Sequence, residues 1–423
     1  MARRRESVRR RARVRRRWQV RHRVQARRRA PNSRADRSPS VTFLGLPRKF
    51  GLPRKFASVL AAMSLAAALS ASATTPAAAA PAAALPSGHN PLCPTPPAIW
   101  SPPDWAACAH SLTRRPHIDY GDVIALPDVT YSVIHGFRPI KMTLFVPKRA
   151  AGGLPIVVYV HGGGWKLDPE GVEGPSGTAT LVHLAALGYV VAVPSYRLSG
   201  EATFPAQLVD VKTAVRYLKT HAETYHGDAS RVVIWGGSAG GNLAALVATT
   251  CGVQKFDQVA ALPAGLTGLR TPYIDPAVTS CVSTAIDWFG PTDLQKMDAQ
   301  QDPSPADGPG HGGAGLHGGT GSRESDYVGC PVAECAAEQV QAADPITYIT
   351  AATPPVLIMH GLADHRVPWR QSQEFYDALM AKGVTARLVL VPGADHMFEG
   401  ISAEAQQQQV DTVIAWIARY TAK

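Results

Sequence analysis

The stretch that most constrains this chain is Arg231–Asn242, read as RVVIWGGSAGGN. Val232, Val233, Ile234 and Trp235 form a short apolar run of the kind that makes a buried parallel strand. Gly236-Gly237-Ser238-Ala239-Gly240 follows at once, and the alanine-rich run from Asn242 reads as a helix. A chain that passes from strand to helix within one residue strains the backbone of that residue. The positions two residues to either side must then be small, because strand and helix backbones run close together. Gly236 and Gly240 stand at those positions. The turn lifts the Ser238 hydroxyl above the sheet edge, beside a helix N-terminus whose free N–H groups favour negative charge. The bare pattern G-x-S-x-G is weak, since glycine and serine also fill ordinary turns. With a strand before it and a helix behind it, the pattern reads as a nucleophile elbow.

The remainder of the chain alternates in the same way. Asp128–His135 and Pro139–Pro147 are expected to form a first antiparallel strand pair, and Pro155–Val160 a fully apolar strand leading into His161-Gly162-Gly163-Gly164-Trp165. Further strands are expected at Tyr189–Pro194, Thr284–Phe289, Pro355–His360 and Ala386–Pro392. Helices are expected at Ser176–Leu187, Phe204–Tyr225, Gln371–Lys382 and Gln406–Tyr420. Chemistry-bearing residues fall at the carboxyl ends of strands. This pattern predicts an α/β fold, a mostly parallel central sheet with helices on both faces. No internal repeat or second core is visible, so residues 85–423 are expected to be one domain with an insertion at about 291–343. That insertion holds the glycine-rich tract Asp307–Gly321, expected to be a mobile loop whose His311 and His317 are incidental rather than metal ligands.

The first eighty residues differ from the rest. Residues 1–40 hold seventeen arginines against Glu6 and Asp36, a net charge of +15 in a chain of +11 overall. Residues 41–423 therefore sum to −4, and residues 81–423 to −8 once Arg48, Lys49, Arg54 and Lys55 are set aside. The basic balance describes the leader and not the functional domain. The arginine tract (residues 1–47 with its flank) reads as upstream sequence or an extended leader, not as a nucleic-acid surface. Residues 48–84 read as a secretion signal followed by an Ala/Pro linker. Arg54-Lys55 precedes the apolar run Ala57–Ala73, with small-residue cleavage sites at Ala71-Ser72-Ala73 and Ala78-Ala79-Ala80. The run is too short and alanine-rich for a stable membrane span, although an uncleaved anchor is the alternative. A secreted or cell-surface protein is thus expected. Six cysteines agree with export. Cys93 with Cys108, Cys251 with Cys281 and Cys330 with Cys335 are the pairs nearest in sequence among fifteen connectivities. No C-x-x-C pair occurs, so no metal is expected.

A serine hydroxyl is a poor nucleophile until a neighbouring base takes its proton, and that base must itself be oriented. Partners of an elbow serine follow in the order acid, then histidine. The acid after the strand Pro355–His360 is Asp364, and the base in the loop after the last strand is His396. Asp395 is the rival acid, but an immediate neighbour is poorly placed to bond the ring of His396, and it reads as a loop-shaping residue. His360 and His365 are rival bases within the segment that supplies the acid. The His161–Gly164 turn suits a backbone oxyanion hole. There Gly163 and Gly164 would donate N–H groups together with Ala239, and His161 would bond the loop. Trp165 either lines the substrate pocket or packs in the core. Arg197 and Asp210 are expected to pair as scaffold.

These motifs together resemble the α/β-hydrolase superfamily, and within it secreted bacterial esterases and lipases with an HGGGW oxyanion loop and a GGSAGG elbow. Asp287–Leu294 (DWFGPTDL) is similar to the feruloyl-esterase-like branch and to oligopeptidase catalytic domains. No cysteine adjoins Ser238 or His396, so the paired-cysteine signature of tannases and fungal feruloyl esterases is absent. The resemblance implies a carboxylic ester hydrolase without cofactor and does not name the ester; the reading adopted is a serine esterase acting through an acyl-enzyme on short-chain or carbohydrate-linked esters. The alternatives are an oligopeptidase-like peptidase, or a hydrolase-fold binding protein with an inactive site. The first lacks room for an N-terminal propeller, and the second would usually have lost the serine or the histidine. The oligomeric state is left open.

Overall fold

The computed structural model describes residues 117–134, 136–168, 177–257, 272–301 and 317–423. The arginine-rich leader, the expected signal and His311 lie outside these residues. So do Cys93 and Cys108, and the disulfide expected between Cys93 and Cys108 is therefore not among the bonds described. The strands are β1 (Ile118–Tyr120), β2 (Val123–Ser132), β3 (Ile140–Pro147), β4 (Leu154–Val160), β5 (Val190–Pro194), β6 (Gly227–Gly237), β7 (Thr284–Trp288), β8 (Val356–Gly361) and β9 (Ala386–Val391). The helices that position the site are α1 (Thr178–Ala186), α2 (Ala206–Thr220), α3 (Ala239–Thr249), α4 (Arg323–Val328), α5 (Ala337–Gln341), α6 (Arg370–Ala381) and α7 (Ala403–Thr421).

The strands form one nine-stranded sheet in the order β1-β2-β3-β5-β4-β6-β7-β8-β9. Strands β1 to β3 are antiparallel to their neighbours, and β5, β4, β6, β7, β8 and β9 run parallel. This is the mostly parallel sheet expected from the alternation. The chain leaves β4 toward β5 on one side, returns to β6 on the other, and continues outward to β7. The carboxyl ends of β4 and β6 therefore flank the point where the connections diverge, which is where open α/β sheets form a crevice.

Strand alternation divides the core into two layers. Ile156, Val158 and Val160 of β4 join Val232 and Ile234 of β6 against α2 and α3. Val157, Tyr159, Val233 and Trp235 face the opposite side, against α1 and α7. A third cluster seats Phe375 and Leu379 of α6 on Val356 and Ile358 of β8. Each such aliphatic side chain contributes about 1.5–3 kcal/mol relative to exposure. Both faces of the central strands are thus covered, which explains why their sequences read as unbroken apolar runs.

Some elements differ from expectation. β2 begins at Val123 rather than at residue 128, and β1, three exposed residues, had no signal in the sequence. The helix expected over 204–225 is two pieces: α2 ends at Thr220, and Glu223–Tyr225 forms a separate 3₁₀ turn. Between them the chain reverses to enter β6 at Gly227, with His226 at a φ of 62°. Tyr225 remains buried, so its apolar signal came from packing and not from a continuing helix.

Candidate active site

The turn at Ser238 has the backbone its sequence requires. Ser238 adopts φ 57° and ψ −125°, a strained region for a residue with a side chain. The glycines flanking it are obligatory by space. A Cβ on Gly236 would lie 2.1 Å from the Gly240 carbonyl oxygen, and one on Gly240 would lie 2.1 Å from that of Val160. The Ser238 N–H donates to the Trp288 carbonyl at 2.8 Å, anchoring the turn to β7. Ala239 opens α3, so its N–H has no partner within the helix.

Ser238 Oγ lies 3.1 Å from His396 Nε2, and His396 Nδ1 lies 2.8 Å from Asp364 Oδ2. Ser238 stays partly exposed, whereas His396 is 5% and Asp364 6% exposed. Asp364 Oδ1 accepts N–H bonds from Arg366 (2.8 Å) and Val367 (2.9 Å). Burial alone would raise the Asp364 carboxyl; the adjoining imidazoles of His396 and His360, with their hydrogen bonds, outweigh it and hold the group well below the usual carboxylate range. His396 is set by a tight turn in which Met397 (φ 59°) and Phe398 (φ 58°) are both left-handed. Asp395 accepts the backbone N–H of His396 at 2.7 Å and that of His365 at 3.0 Å, so it ties the loop together and does not touch the His396 ring. Phe289, itself at φ 44°, packs its ring 4.7 Å from that of His396. Of the rival bases, His365 pairs with Asp395 at the surface. His360 is fully buried and bonded to Asp364 at 3.1 Å.

The glycine loop after β4 runs beside the serine: a Cβ on Gly162 would lie 3.3 Å from Ser238 Cβ. Gly163 (φ 106°) and Gly164 (φ 59°) continue in left-handed geometry that suits glycine. The Gly163 carbonyl accepts from Lys166 and Leu167 N–H groups and from Arg323 Nη1 at 3.0 Å. His161 is buried, bonds the Gly162 carbonyl through Nδ1 at 2.8 Å, and stacks on Tyr196. Burial lowers its pKa, partly opposed by Asp168. Trp165 is 1% exposed and lies flat against Tyr327, ring centroids 4.1 Å apart. Of its two readings, lining the substrate pocket or packing in the core, the structure places Trp165 in the core. A ring enclosed in the core has no face left for a ligand.

That stack exposes a correction. The expected mobile loop reached Gly321, but its described end, residues 317–321, leads into a segment fastened to the site. Arg323 and Tyr327 of α4 fasten onto the loop after β4, and the Tyr327 hydroxyl reaches Asn242 Oδ1 on α3 at 3.3 Å. Ser322 caps α4 by accepting the Ser325 N–H, and Gly329 ends it in left-handed geometry. His317, expected in a mobile loop, is 8% exposed and bonded to Glu324 at 3.0 Å. The Glu324 partner raises its pKa against the lowering effect of burial. Two of the three expected disulfides are present. Cys330–Cys335 closes the chain just after α4, and Cys251–Cys281 links the end of α3 to the start of β7. Arg197 and Asp210 form the expected pair, with Nε and Nη2 each 2.8 Å from a carboxylate oxygen.

Among the described residues, no group of three or more His, Cys, Asp or Glu is arranged to hold a metal ion, and no helix is long and apolar enough to cross a membrane. Chemically, the arrangement offers a hydroxyl with a base in reach, a buried carboxylate behind the base, and backbone N–H groups nearby.

The chain is 29% identical over 265 residues to the esterase LipQ of Mycobacterium tuberculosis, a match covering 62% of this chain and 54% of that protein. It spans about half the length of the curated relatives it matches. A bifunctional GH43-CE protein of Bacteroides eggerthii superposes with a TM-score of 0.55 at 27% identity, covering 70% of this chain and 38% of that one. A truncated form of a carbohydrate esterase from gut microbiota superposes equally well (TM-score 0.55, 24% identity), covering 71% of this chain and 96% of that one, and shares the α/β-hydrolase fold. The BD-FAE family model matches residues 142–379, from β3 through α6 and including Ser238 and Asp364. More than half of the chain is thus accounted for, and the chain belongs to the BD-FAE family of α/β hydrolases.

Proposed function

We propose that this chain is a secreted serine carboxylic ester hydrolase that works through an acyl-enzyme. The observation that carries the reading is the unbroken line Ser238 Oγ, His396 Nε2, His396 Nδ1, Asp364 Oδ2 at 3.1 and 2.8 Å. In the first half-reaction Ser238 Oγ bonds to the ester carbonyl carbon while its proton passes to His396 Nε2. The tetrahedral oxyanion is held by the N–H groups of Gly163, Gly164 and Ala239. Collapse breaks the carbon–oxygen bond to the alcohol, which leaves with the proton from His396. In the second half a water gives its proton to the same nitrogen and adds to the acyl carbon. Ser238 then recovers the proton, and the carboxylic acid departs. Asp364 holds His396 with Nδ1–H toward the carboxylate and Nε2 toward the serine, and stabilises the imidazolium formed at each step.

The similarity to the esterase LipQ and the BD-FAE membership support ester cleavage. The likeness of Asp287–Leu294 to feruloyl-esterase-like sequences supports short-chain or carbohydrate-linked esters as substrates. The n-region, apolar run and small-residue sites of residues 48–84 support export. Hydrolysis of p-nitrophenyl esters from acetate to palmitate tests the reading, with Ser238→Ala beside the parent. Turnover confined to short acyl chains and reduced on the order of 10⁴-fold or more in the variant is expected. Equal rates in both proteins would sink it, and a long-chain optimum would move the substrate class to lipids.

A further inference from the structure

Behind the line of Ser238, His396 and Asp364 stands a second histidine that the proposed mechanism does not use. His360 is the penultimate residue of β8, four residues before Asp364, and is completely buried. Its Nε2 lies 3.1 Å from Asp364 Oδ2 and 2.9 Å from the Val367 carbonyl oxygen. Both neighbours only accept, Asp364 being held ionised, so Nε2 carries the hydrogen. In the neutral ring Nδ1 is then the acceptor, and the Ser372 hydroxyl of α6 stands 2.7 Å from it. The ring is thereby fixed at both nitrogens by groups from two different elements.

We infer that His360 is a positioning residue for ester hydrolysis: its Nε2–H shares Asp364 Oδ2 with His396 and limits how strongly that oxygen attracts the base. The inference rests on the proposed roles of Asp364 and His396. The geometry supports it in two ways. Asp364 Oδ1 is taken by the backbone N–H groups of Arg366 and Val367, so Oδ2 is the only oxygen left for both imidazoles. And the Val367 carbonyl, gripping the same N–H, links the ring to the turn that supplies one of those donors. Without His360, all the charge on Oδ2 would bear on His396. An imidazolium there would be favoured, and the base would stay protonated to higher pH. The titratable groups around the ring are Asp364 on its own turn, Asp287 on the neighbouring strand β7 and His396 after β9. Ser372 and Gln371, from α6, carry no charge.

The test compares His360→Leu, which fills the space without a donor, with His360→Gln, which keeps an N–H where Nε2 stands. In H360L the expected result is a kcat lower by roughly 10- to 100-fold with KM changed by less than about 3-fold. The acid limb of the kcat/KM profile should move to higher pH by about half a unit or more. H360Q should bring the limb back to the parental position and recover most of kcat. A histidine that merely fills the core would cost stability and leave the limb in place, and an unmoved limb in H360L overturns the inference. The same titration followed by ¹⁵N NMR of selectively labelled histidine rings reads His396 without any substrate. It therefore judges the inference even if no ester is hydrolysed, an outcome that would count against the proposed function alone. Should H360L not fold, Ser372→Ala takes its place, freeing Nδ1. A smaller shift of the His396 midpoint in the same direction is expected, and no shift overturns the inference.

Discussion

Two buried carboxylates on neighbouring strand ends behave in opposite ways. Asp364 follows β8 and Asp287 lies within β7, and both are almost without solvent contact. Asp364 receives four donors: the Arg366 and Val367 N–H groups, His396 Nδ1 and His360 Nε2. Asp287 receives one, the Gly290 N–H at 2.9 Å, and its Oδ2 has no partner. Burial therefore wins at Asp287, against the Gly290 bond and His360, and pushes its carboxyl up to about 7. The backbone of α3 packs directly against this carboxylate: a Cβ on Gly241 would lie 2.4 Å from Asp287 Oδ1. Burial alone thus decides nothing about charge. The supply of N–H groups makes one acid an anion able to orient a base, and leaves the other holding its proton well above the usual carboxylate range in the wall behind the elbow.

The strongest way to break the contrast is Asp364→Asn. It keeps shape but loses the charge that holds His396, and kcat/KM should fall on the order of 10³–10⁴-fold. Its stability signature has a definite sign. A depressed carboxyl contributes stability above its unfolded value, near pH 4, and that contribution is lost as pH falls. The melting gap between parent and D364N should be wide at pH 7 and close in strong acid. Asp287→Asn has the reverse signature. With the folded value raised to about 7, the parent loses stability as pH climbs from about 4 to about 7, because the folded state holds the proton longer. D287N should flatten that slope, a relative gain at pH 8 over pH 4 on the order of 1–4 kcal/mol, with kcat within about 3-fold of the parent. A slope unchanged in thermal melts across that window would show that Asp287 ionises as freely as a surface acid. The smallest effect sharpens the same point. Arg366 serves Asp364 through its backbone, so Arg366→Ala should leave kcat/KM within about 2-fold and stability within about 0.5 kcal/mol.

Much of this was legible in the sequence, for physical reasons that can be named. Ser238 could be placed because only a strand, a tight turn and a helix satisfy apolar run, glycine spacing and alanine run together. Asp364 and His396 could be placed because the order of strands fixes which loops reach the same sheet edge. What could not be read depends on contacts between segments distant along the chain. Tyr327 and Trp165 are 162 positions apart, and nothing in either local sequence announces a stack. β1 has three exposed residues and no alternation to betray it. His360 was visible as a histidine beside the acid, but its bond to Asp364 depends on a turn that brings Asp364 Oδ2 back over the strand end. The one available signal was its place as the last side chain of an apolar strand, where an unpartnered polar ring would be costly.

The grip of α4 on the loop after β4 has a consequence for anyone who would rebuild this protein. The line Ser238, His396, Asp364 can be copied by moving three side chains, but the glycine loop that faces it is braced from outside by Arg323 and Tyr327. Those residues sit in the long β7–β8 connection, the region a protein engineer would first shorten or exchange to alter substrate range. Grafts and deletions that cross residues 317–343 therefore also remove the support of the glycine loop beside Ser238. Any library built in that connection should hold Arg323 and Tyr327 constant.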